Sequence, residues 1–350
     1  MKSSKTKIKL KVAVLVSGGA DSAFALLESV KKYSYVESFT FSFSRESTCC
    51  NSNDISNAKA HSALLGVKHN LIDLNNIFYE NIIKYTEDEY KIGRTPNPCV
   101  VCNKKVKIER FIKEVCPHKF DKVITGHFAK IERFDNRYCI SMANNKLKDQ
   151  SYFLARLDKN IIRYLELPCG IFSKEHIRQT LKTSGFTEHD KAESQDLCFA
   201  DCSEYLLFKK ELSIPGNIYH INDNKLIGRH NGIINYTYGQ RKGLGISWDE
   251  PLYVVKIDPE NNAIYVGERE FIYSNKIEIN HLNWICSHSP NNMEGLVKIR
   301  SFSTPVSAKF DLLDKDHAQI IPFKELFAVT PGQLAVFYIN NSIAVSGWIQ

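Results

Sequence analysis

The sequence predicts an α/β protein: a doubly wound parallel sheet in the amino-terminal part, followed by a β-rich carboxyl-terminal part. Two observations carry this prediction. Strand and helix signals alternate, with short connections, up to about residue 200. From about residue 205 the alternation stops, and Gly, Asn and Pro punctuate short runs rich in β-branched and aromatic residues.

The elements follow in order. "KVAVLV" (Lys11 to Val16) is an unbroken apolar run, as expected for a strand buried on both faces of a parallel sheet. A helix begins near Ser22 and carries Phe24, Leu26 and Leu27. "VESFTFSF" (Val36 to Phe43) is the second strand. "NDISNAKAHSALLG" is an amphipathic helix stopped by Gly66. "HNLIDL" is a third strand, "IFYENIIKYTEDEY" and "KVKIERFIKEVC" are helices, and "KVITGHFAKI" is a further strand. Later, "LYVVKID" and "AIYVGE" are joined through "PENN", and "QLAVFYI" and "IAVSGWIQ" through "NNS". Both pairs read as hairpins. The last part of the chain reads as an antiparallel barrel or sandwich.

At 350 residues, two or three domains are expected. A content of 43% hydrophobic and 24% charged residues excludes a disordered chain. No apolar run is long enough to span a bilayer. The start, "MKSSKTKIKLKVAVLV", is basic and then apolar, but "SGGADS" follows at once, so it reads as a buried first strand and not a secretory signal. A net charge of +7 permits an anionic partner such as RNA without specifying one. The ten cysteines are irregularly spaced, which favours a reduced, cytoplasmic chain with some functional thiols. Cys116, Cys139, Cys169, Cys202 and Cys286 read as packing thiols.

Three constellations carry chemistry. "SGGADS" (Ser17 to Ser22) lies where the first strand hands over to a helix. Two glycines allow close backbone approach to a phosphate, and the helix N-terminus favours negative charge. Asp21 suits Mg²⁺ held between phosphates. The alternative is a tight turn with no ligand. No Walker loop and no G-x-G-x-x-G is present. The loop resembles the PP-loop of ATP pyrophosphatases, which activate a carbonyl oxygen as an adenylate.

The second constellation is "GRTPNPCVVCNKK" (Gly93 to Lys105). Two prolines stiffen a loop, and Cys99 and Cys102 follow near a helix start with Lys104, Lys105 and Lys107 close by, a setting that favours thiolates. Half a zinc site, a redox pair and working thiols all remain open for this spacing. The third is "ESQDLCFADCSEY", in which Cys198 precedes Phe199. Three more stretches suit RNA: "TGHFAKI" with Gly126 and His127 at a strand's carboxyl end, "KDQSYFL" from Lys148, and the glycine-rich basic loop "GQRKGLGI".

Taken in order, S-G-G-x-D-S, "GRTPNPCVVCNKKVK", "TGHFAKI", "KDQSYFL", the downstream Cys-Phe, "GQRKGLGI" and "TPGQLAVFY" resemble the tRNA-specific 2-thiouridylases over nearly the whole chain. The resemblance implies three parts: a PP-loop nucleotide domain over residues 1–204, a small β-rich domain over 205–265 and a β-barrel over 266–350. It implies ATP-dependent adenylation of C2 of the wobble uridine in tRNA, then sulfur delivery from a cysteine persulfide. It places Leu15, Val16, Ser17, Gly18, Gly19, Ala20, Asp21, Ser22, Phe41 and Gly126 around ATP. Asn97, Pro98 and Cys99 fall where the everted base is held. Cys102 falls on the nucleophile and Cys198 on the persulfide carrier, the two forming a transient disulfide. His127, Lys148, Asp149, Gln150, Arg300, Ser301 and Gln333 fall on tRNA-contacting positions. A persulfide carrier protein or cysteine desulfurase is the implied sulfur donor, and a monomer the implied state.

The chain departs from the family pattern in places. Cys99 stands where many relatives carry Asp, so Cys99, Cys102 and Cys198 could instead ligate a [4Fe–4S] cluster. Ala20 replaces a branched residue, Phe41 a frequent methionine, and Ser301 an aromatic. The rival readings are another PP-loop enzyme and a noncatalytic RNA-binding protein with zinc at Cys99 and Cys102.

Overall fold

The apolar run near the amino terminus is the central strand of a parallel sheet. In β1 (Ile8–Leu15), Val12, Ala13 and Val14 have no exposed surface. The structure, a computed structural model, describes residues 6–43, 51–134, 136–186, 197–286 and 292–350. Cys49, Cys50 and the polar residues 193–196 before Cys198 lie outside the described residues. The chain divides into two compact units, 1–81 with 99–202 and 82–98 with 203–350.

In the first unit, β1 leads into α1 (Ala20–Lys32), β2 (Tyr33–Ser42), α2 (Ser52–Leu64) and β3 (Lys68–Asp73). Further along come β4 (Lys122–Ile124), the hairpin β5 (Ala129–Phe134) and β6 (Arg137–Met142), and β7 (Leu165–Glu166). The parallel sheet has the order β3-β2-β1-β4-β7. The chain therefore leaves β1 to one side for β2 and β3, then crosses to β4 on the other. The carboxyl ends of β1 and β4 flank that reversal, where open α/β sheets receive ligands.

α1 is buried on two sides. Ala25 and Leu26 pack with Val12, Val14 and Ile124 of the sheet. Phe24 and Leu27 pack with Phe128, Ile177, Leu181 and Phe186. α2 starts where Asn51 accepts a hydrogen bond from the Asp54 N–H at 2.9 Å, and Gly66 terminates it with φ +65. The single strand expected over "KVITGHFAKI" is two strands, because β4 ends at Ile124 and β5 starts only at Ala129. Between the two strands, the Gly126 backbone packs against the first turn of α1.

The second unit holds β8 (Gly216–His220), β9 (Leu226–His230), β10 (Tyr253–Asp258) and β11 (Ala263–Gly267) in the order β10-β11-β8-β9. Ile218, Val254, Ile264 and Val266 form its core. After β12 (Tyr273–Ser274) come β13 (Ile277–Trp284), β14 (Met293–Lys298), β15 (Val306–Leu312), β16 (Ala318–Pro322), β17 (Leu326–Phe327), β18 (Leu334–Ile339) and β19 (Ser342–Ile349). Six of these pair as β13-β16-β15-β14-β18-β19 and close through β13–β19. Of barrel and sandwich, the structure is therefore the barrel, and closure removes strand edges that would otherwise be left unpaired. The turn between β18 and β19 uses Asn340 and Asn341, both at positive φ (50° and 65°), as a two-residue hairpin requires. Cys139 and Cys286 are disulfide-bonded, which corrects their reading as reduced packing thiols. No helix among the described residues is long and apolar enough to cross a membrane.

Candidate active site

The end of β1 is held before its loop begins. The Val16 N–H donates to the Phe39 carbonyl at 2.8 Å, and Thr40 Oγ1 donates to the Val16 carbonyl at 2.6 Å. Gly18 then takes φ +79, and a Cβ there would lie 2.3 Å from the Asp54 carbonyl oxygen, so only glycine fits. The Ser17 N–H donates to Ser22 Oγ at 3.1 Å, and that hydroxyl donates to the Gly19 carbonyl at 2.9 Å. Gly19 caps α1 with no side-chain hydrogen bond, so no cap side chain occupies the first amides of the helix, the groups that suit an anion. Leu15 and Ala20 are half-buried and Val16 is buried at the two ends of this cradle. A Cβ on Gly126 would sit 2.7 Å from the Asp21 carbonyl carbon and the Ser22 nitrogen. The loop after β4 thus touches the first turn of α1, backbone to backbone.

Asp21 is engaged by a residue that no motif singled out. Lys174 Nζ donates to its two carboxylate oxygens at 2.8 and 2.6 Å, and stands 4.7 Å from the centre of the Phe128 ring. Lys174 opens the helix Lys174–Thr183, a place where the macrodipole disfavours a cation. The Asp21 carboxylate offsets that mismatch. Cys169 Sγ donates to the Asp21 carbonyl at 3.3 Å, and burial pushes this thiol's pKa well above its usual range.

The thiols lie in the same unit. Helix Pro98–Cys102 runs through a π-helical turn, Asn103–Lys107, into Ile108–Val115. Cys99 is exposed, Cys102 buried and Cys198 half-buried. Asn103 Nδ2 donates to the Phe153 carbonyl at 3.1 Å and fixes the turn after Cys102. Phe199, fully buried next to Cys198, meets Phe78 at 5.9 Å; Phe78 meets Phe43 at 5.0 Å, and Phe43 meets Phe41 at 6.3 Å. Lys107 Nζ lies 5.0 Å from the Phe43 ring centre. One row of aromatic rings therefore runs from the Cys198 segment to β2, and Lys107, in the turn after Cys102, meets it at Phe43. Phe41 is also 5.6 Å from Phe111, so it is a core ring at the sheet's carboxyl end.

The residues expected to contact RNA divide by what they bond. His127 Nδ1 is 2.8 Å from Thr125 Oγ1. Burial, then the nearby Lys107 charge, lowers its pKa to about 4, so the ring is neutral at pH 7. Asp149 is buried and accepts from the Ala143 N–H at 2.9 Å and Ser151 Oγ at 2.8 Å. Gln150 Oε1 accepts from the Phe128 N–H at 2.9 Å. Both brace the turn on which half-buried Lys148 stands.

In the second unit, Asn97 and Pro98 are buried and Arg300, Ser301 and Gln333 half-buried. Gln333 bonds the Thr95–Asn97 loop directly: Nε2 donates to the Thr95 and Pro96 carbonyls at 3.1 and 2.9 Å, and Oε1 accepts from Asn97 Nδ2 at 3.3 Å. Arg300 and Gln333 also line a cleft of about 640 Å³. No group of three or more His, Cys, Asp or Glu side chains suited to a metal is found among the described residues. Cys99, Cys102 and Cys198 are all described and do not form one.

A glycine cradle at the switch point of a parallel sheet, in a chain that continues into two β modules, defines a HUP-type nucleotide-binding protein. Three family models match in succession: the tRNA methyl transferase HUP domain over residues 10–201, its PRC-barrel domain over 205–268, and the aminomethyltransferase beta-barrel domain over 274–349. The tRNA-specific 2-thiouridylase MnmA of Rickettsia felis is 36% identical over 351 residues, covering 97% of this chain and 96% of that protein. The enzyme of the same name from Rickettsia bellii is 38% identical over 311 residues, covering 87% and 84%. The U34-tRNA thiolase NcsA of Methanococcus maripaludis, solved with its [4Fe–4S] cluster, aligns with a TM-score of 0.36 at 17% identity over 59% of this chain and 67% of that one, too slight a likeness to carry an argument. The chain belongs to the tRNA-specific 2-thiouridylase family.

Proposed function

We infer that this chain is a tRNA-uridine 2-sulfurtransferase, which replaces the C2 oxygen of the wobble uridine with sulfur and consumes ATP. The observation that carries the reading is the unbroken succession of the three family matches from residue 10 to residue 349. The glycine cradle and the aromatic row that runs from the Cys198 segment to β2 support it. The noncatalytic zinc-protein reading is not favoured, because it leaves the cradle without a use.

A urea-like carbonyl oxygen is a poor leaving group, and adenylation makes it a good one. Gly18, Gly19 and the α1 amides would hold the ATP phosphates, with Gly126 closing the cradle. Mg²⁺ would come with the nucleotide. Asp21 is its one carboxylate candidate in the loop, and Lys174 would have to release an oxygen for it. Asn97, Pro98 and Cys99 would receive the base once it leaves the anticodon stack.

Sulfur would arrive on Cys198 as a persulfide, Cys198–S–SH, from a carrier protein or cysteine desulfurase. The Cys102 thiolate would attack the inner sulfur, form the Cys102–Cys198 disulfide and release hydrosulfide. Hydrosulfide adds to C2, AMP departs, and a thiol reductant restores both cysteines. We further propose the division 1–204, 205–265 and 266–350, a monomer, and a cytoplasmic site of action. The test is tRNA-stimulated ATP–pyrophosphate exchange with the purified chain. A noncatalytic RNA-binding protein shows none.

A further inference from the structure

The turn after β14 uses its polar groups on the protein itself. Arg300 Nη2 donates to the Ala328 carbonyl at 2.9 Å and to Thr330 Oγ1 at 2.6 Å. Ser303 Oγ accepts from the Arg300 N–H at 3.2 Å and donates to the Arg300 carbonyl at 2.9 Å. What these bonds project into solvent is Phe302, which is 88% exposed. One exposed ring is ordinary on a protein surface; what sets Phe302 apart is that its turn is held by these bonds and borders a cleft.

The ring belongs to the lining of the 640 Å³ cleft, where hydroxyls and an amide (Thr237, Ser301, Thr330, Gln333) alternate with the rings of Phe302 and Phe327. That mixture suits a nucleobase, whose flat face stacks on an aromatic ring while its sugar and base edges take hydrogen bonds. The formal charge of +7 adds attraction for a polyanion. Thr95, at the start of the loop assigned to the target base, lines the same cleft, and Gln333 bonds that loop.

We propose that Phe302 is a stacking platform for an unpaired anticodon-loop base of the tRNA substrate, next to the base that reacts. Arg300 is then a positioning residue: it fixes the turn and does not read the RNA. This rests on the function proposed above and deepens it by naming how one neighbouring nucleotide is held.

The test uses the full chain with Phe302→Ala, Phe302→Leu and Phe302→Trp. Affinity for an unmodified anticodon stem-loop RNA is read by fluorescence anisotropy, alongside thiolation kinetics. Phe302→Ala is expected to raise the Kd and the KM for RNA by about tenfold, the lower part of the range for one lost base stack. The kcat and the thermal midpoint should not move, because the ring is exposed. Phe302→Trp keeps wild-type affinity, and Phe302→Leu behaves like Phe302→Ala. Wild-type Kd and KM in Phe302→Ala, or full rescue by Phe302→Leu, overturn the stacking role and leave the proposed function intact. A wild-type chain that neither binds nor thiolates RNA overturns the proposed function, and the inference with it.

Discussion

Gln333 holds Asn97. Its side-chain oxygen accepts from Asn97 Nδ2 at 3.3 Å, while its nitrogen donates to the carbonyls of Thr95 and Pro96 just before. Two residues separated by most of the chain thus form one device: the first turn after Gly332 fixes the loop that leads into the thiol helix. Gly332 has φ +86, and a Cβ there would come within 2.8 Å of the Thr95 carbonyl oxygen, so the approach depends on glycine. Replacing Gln333 by Ala removes these three hydrogen bonds. We expect a stability loss of about 1–3 kcal/mol and a fall in thiolation kcat larger than any rise in the KM for RNA. Urea titration and steady-state kinetics check both. A pure RNA contact would move only KM.

Lys174 is expected to serve the nucleotide. Lys174→Met leaves a half-buried Asp21 carboxylate without its bidentate partner. The KM for ATP in pyrophosphate exchange should rise by roughly one to two orders of magnitude, as for loss of a charge-assisted phosphate or carboxylate contact. Affinity for the RNA alone should stay as it was. Unchanged exchange kinetics would remove Lys174 from the site.

Gly126→Ala tests the contact between the loop after β4 and the first turn of α1. The added Cβ meets backbone atoms of Asp21 and Ser22 at 2.7 Å, not a flexible side-chain end. The start of α1 beside the glycine loop must shift, so ATP binding should weaken by roughly 1–3 kcal/mol, about five- to 150-fold, measurable by calorimetry. Folding should persist, with α1 still packed on the sheet.

His127 makes stability depend on acid. Burial holds its pKa near 4 in the folded chain, below its ordinary value of 6.5. Below pH 6.5 the unfolded chain takes up a proton that the folded chain refuses until about pH 4. The stability present above pH 6.5 is therefore lost progressively as pH falls through that window, by at most about 3 kcal/mol. In His127→Gln this part of the pH dependence of urea unfolding should flatten. A variant with the same slope as wild type would show that the ring is hydrated in the folded state.

Much of the architecture was legible because it rests on local pattern. Val12 to Val14 announced a doubly buried strand, Gly66 a helix stop, and "NNS" a hairpin whose two asparagines do take positive φ. The glycine cradle could be placed for the same reason, since its residues are consecutive. Other features depend on partners far away in sequence. Nothing near residue 126 says that its backbone will rest on Asp21, so "KVITGHFAKI" reads as one strand. Nothing near residues 82–98 says that they pack with the second unit, where Arg94 donates to the Ile349 carbonyl at 3.0 Å. Asp149 and Gln150 look like surface polar groups in the sequence, and only the fold shows them bonded to backbone amides.

The central claim is that Cys198 carries the sulfur that replaces the uridine oxygen. It is tested most directly by mass analysis of tRNA nucleosides after incubation with ATP, a persulfide donor and either wild-type or Cys198→Ser protein. The account predicts a uridine with oxygen exchanged for sulfur in the wild-type reaction, and none with Cys198→Ser, although that variant still supports ATP–pyrophosphate exchange. Thiolation by Cys198→Ser at the wild-type rate would contradict it.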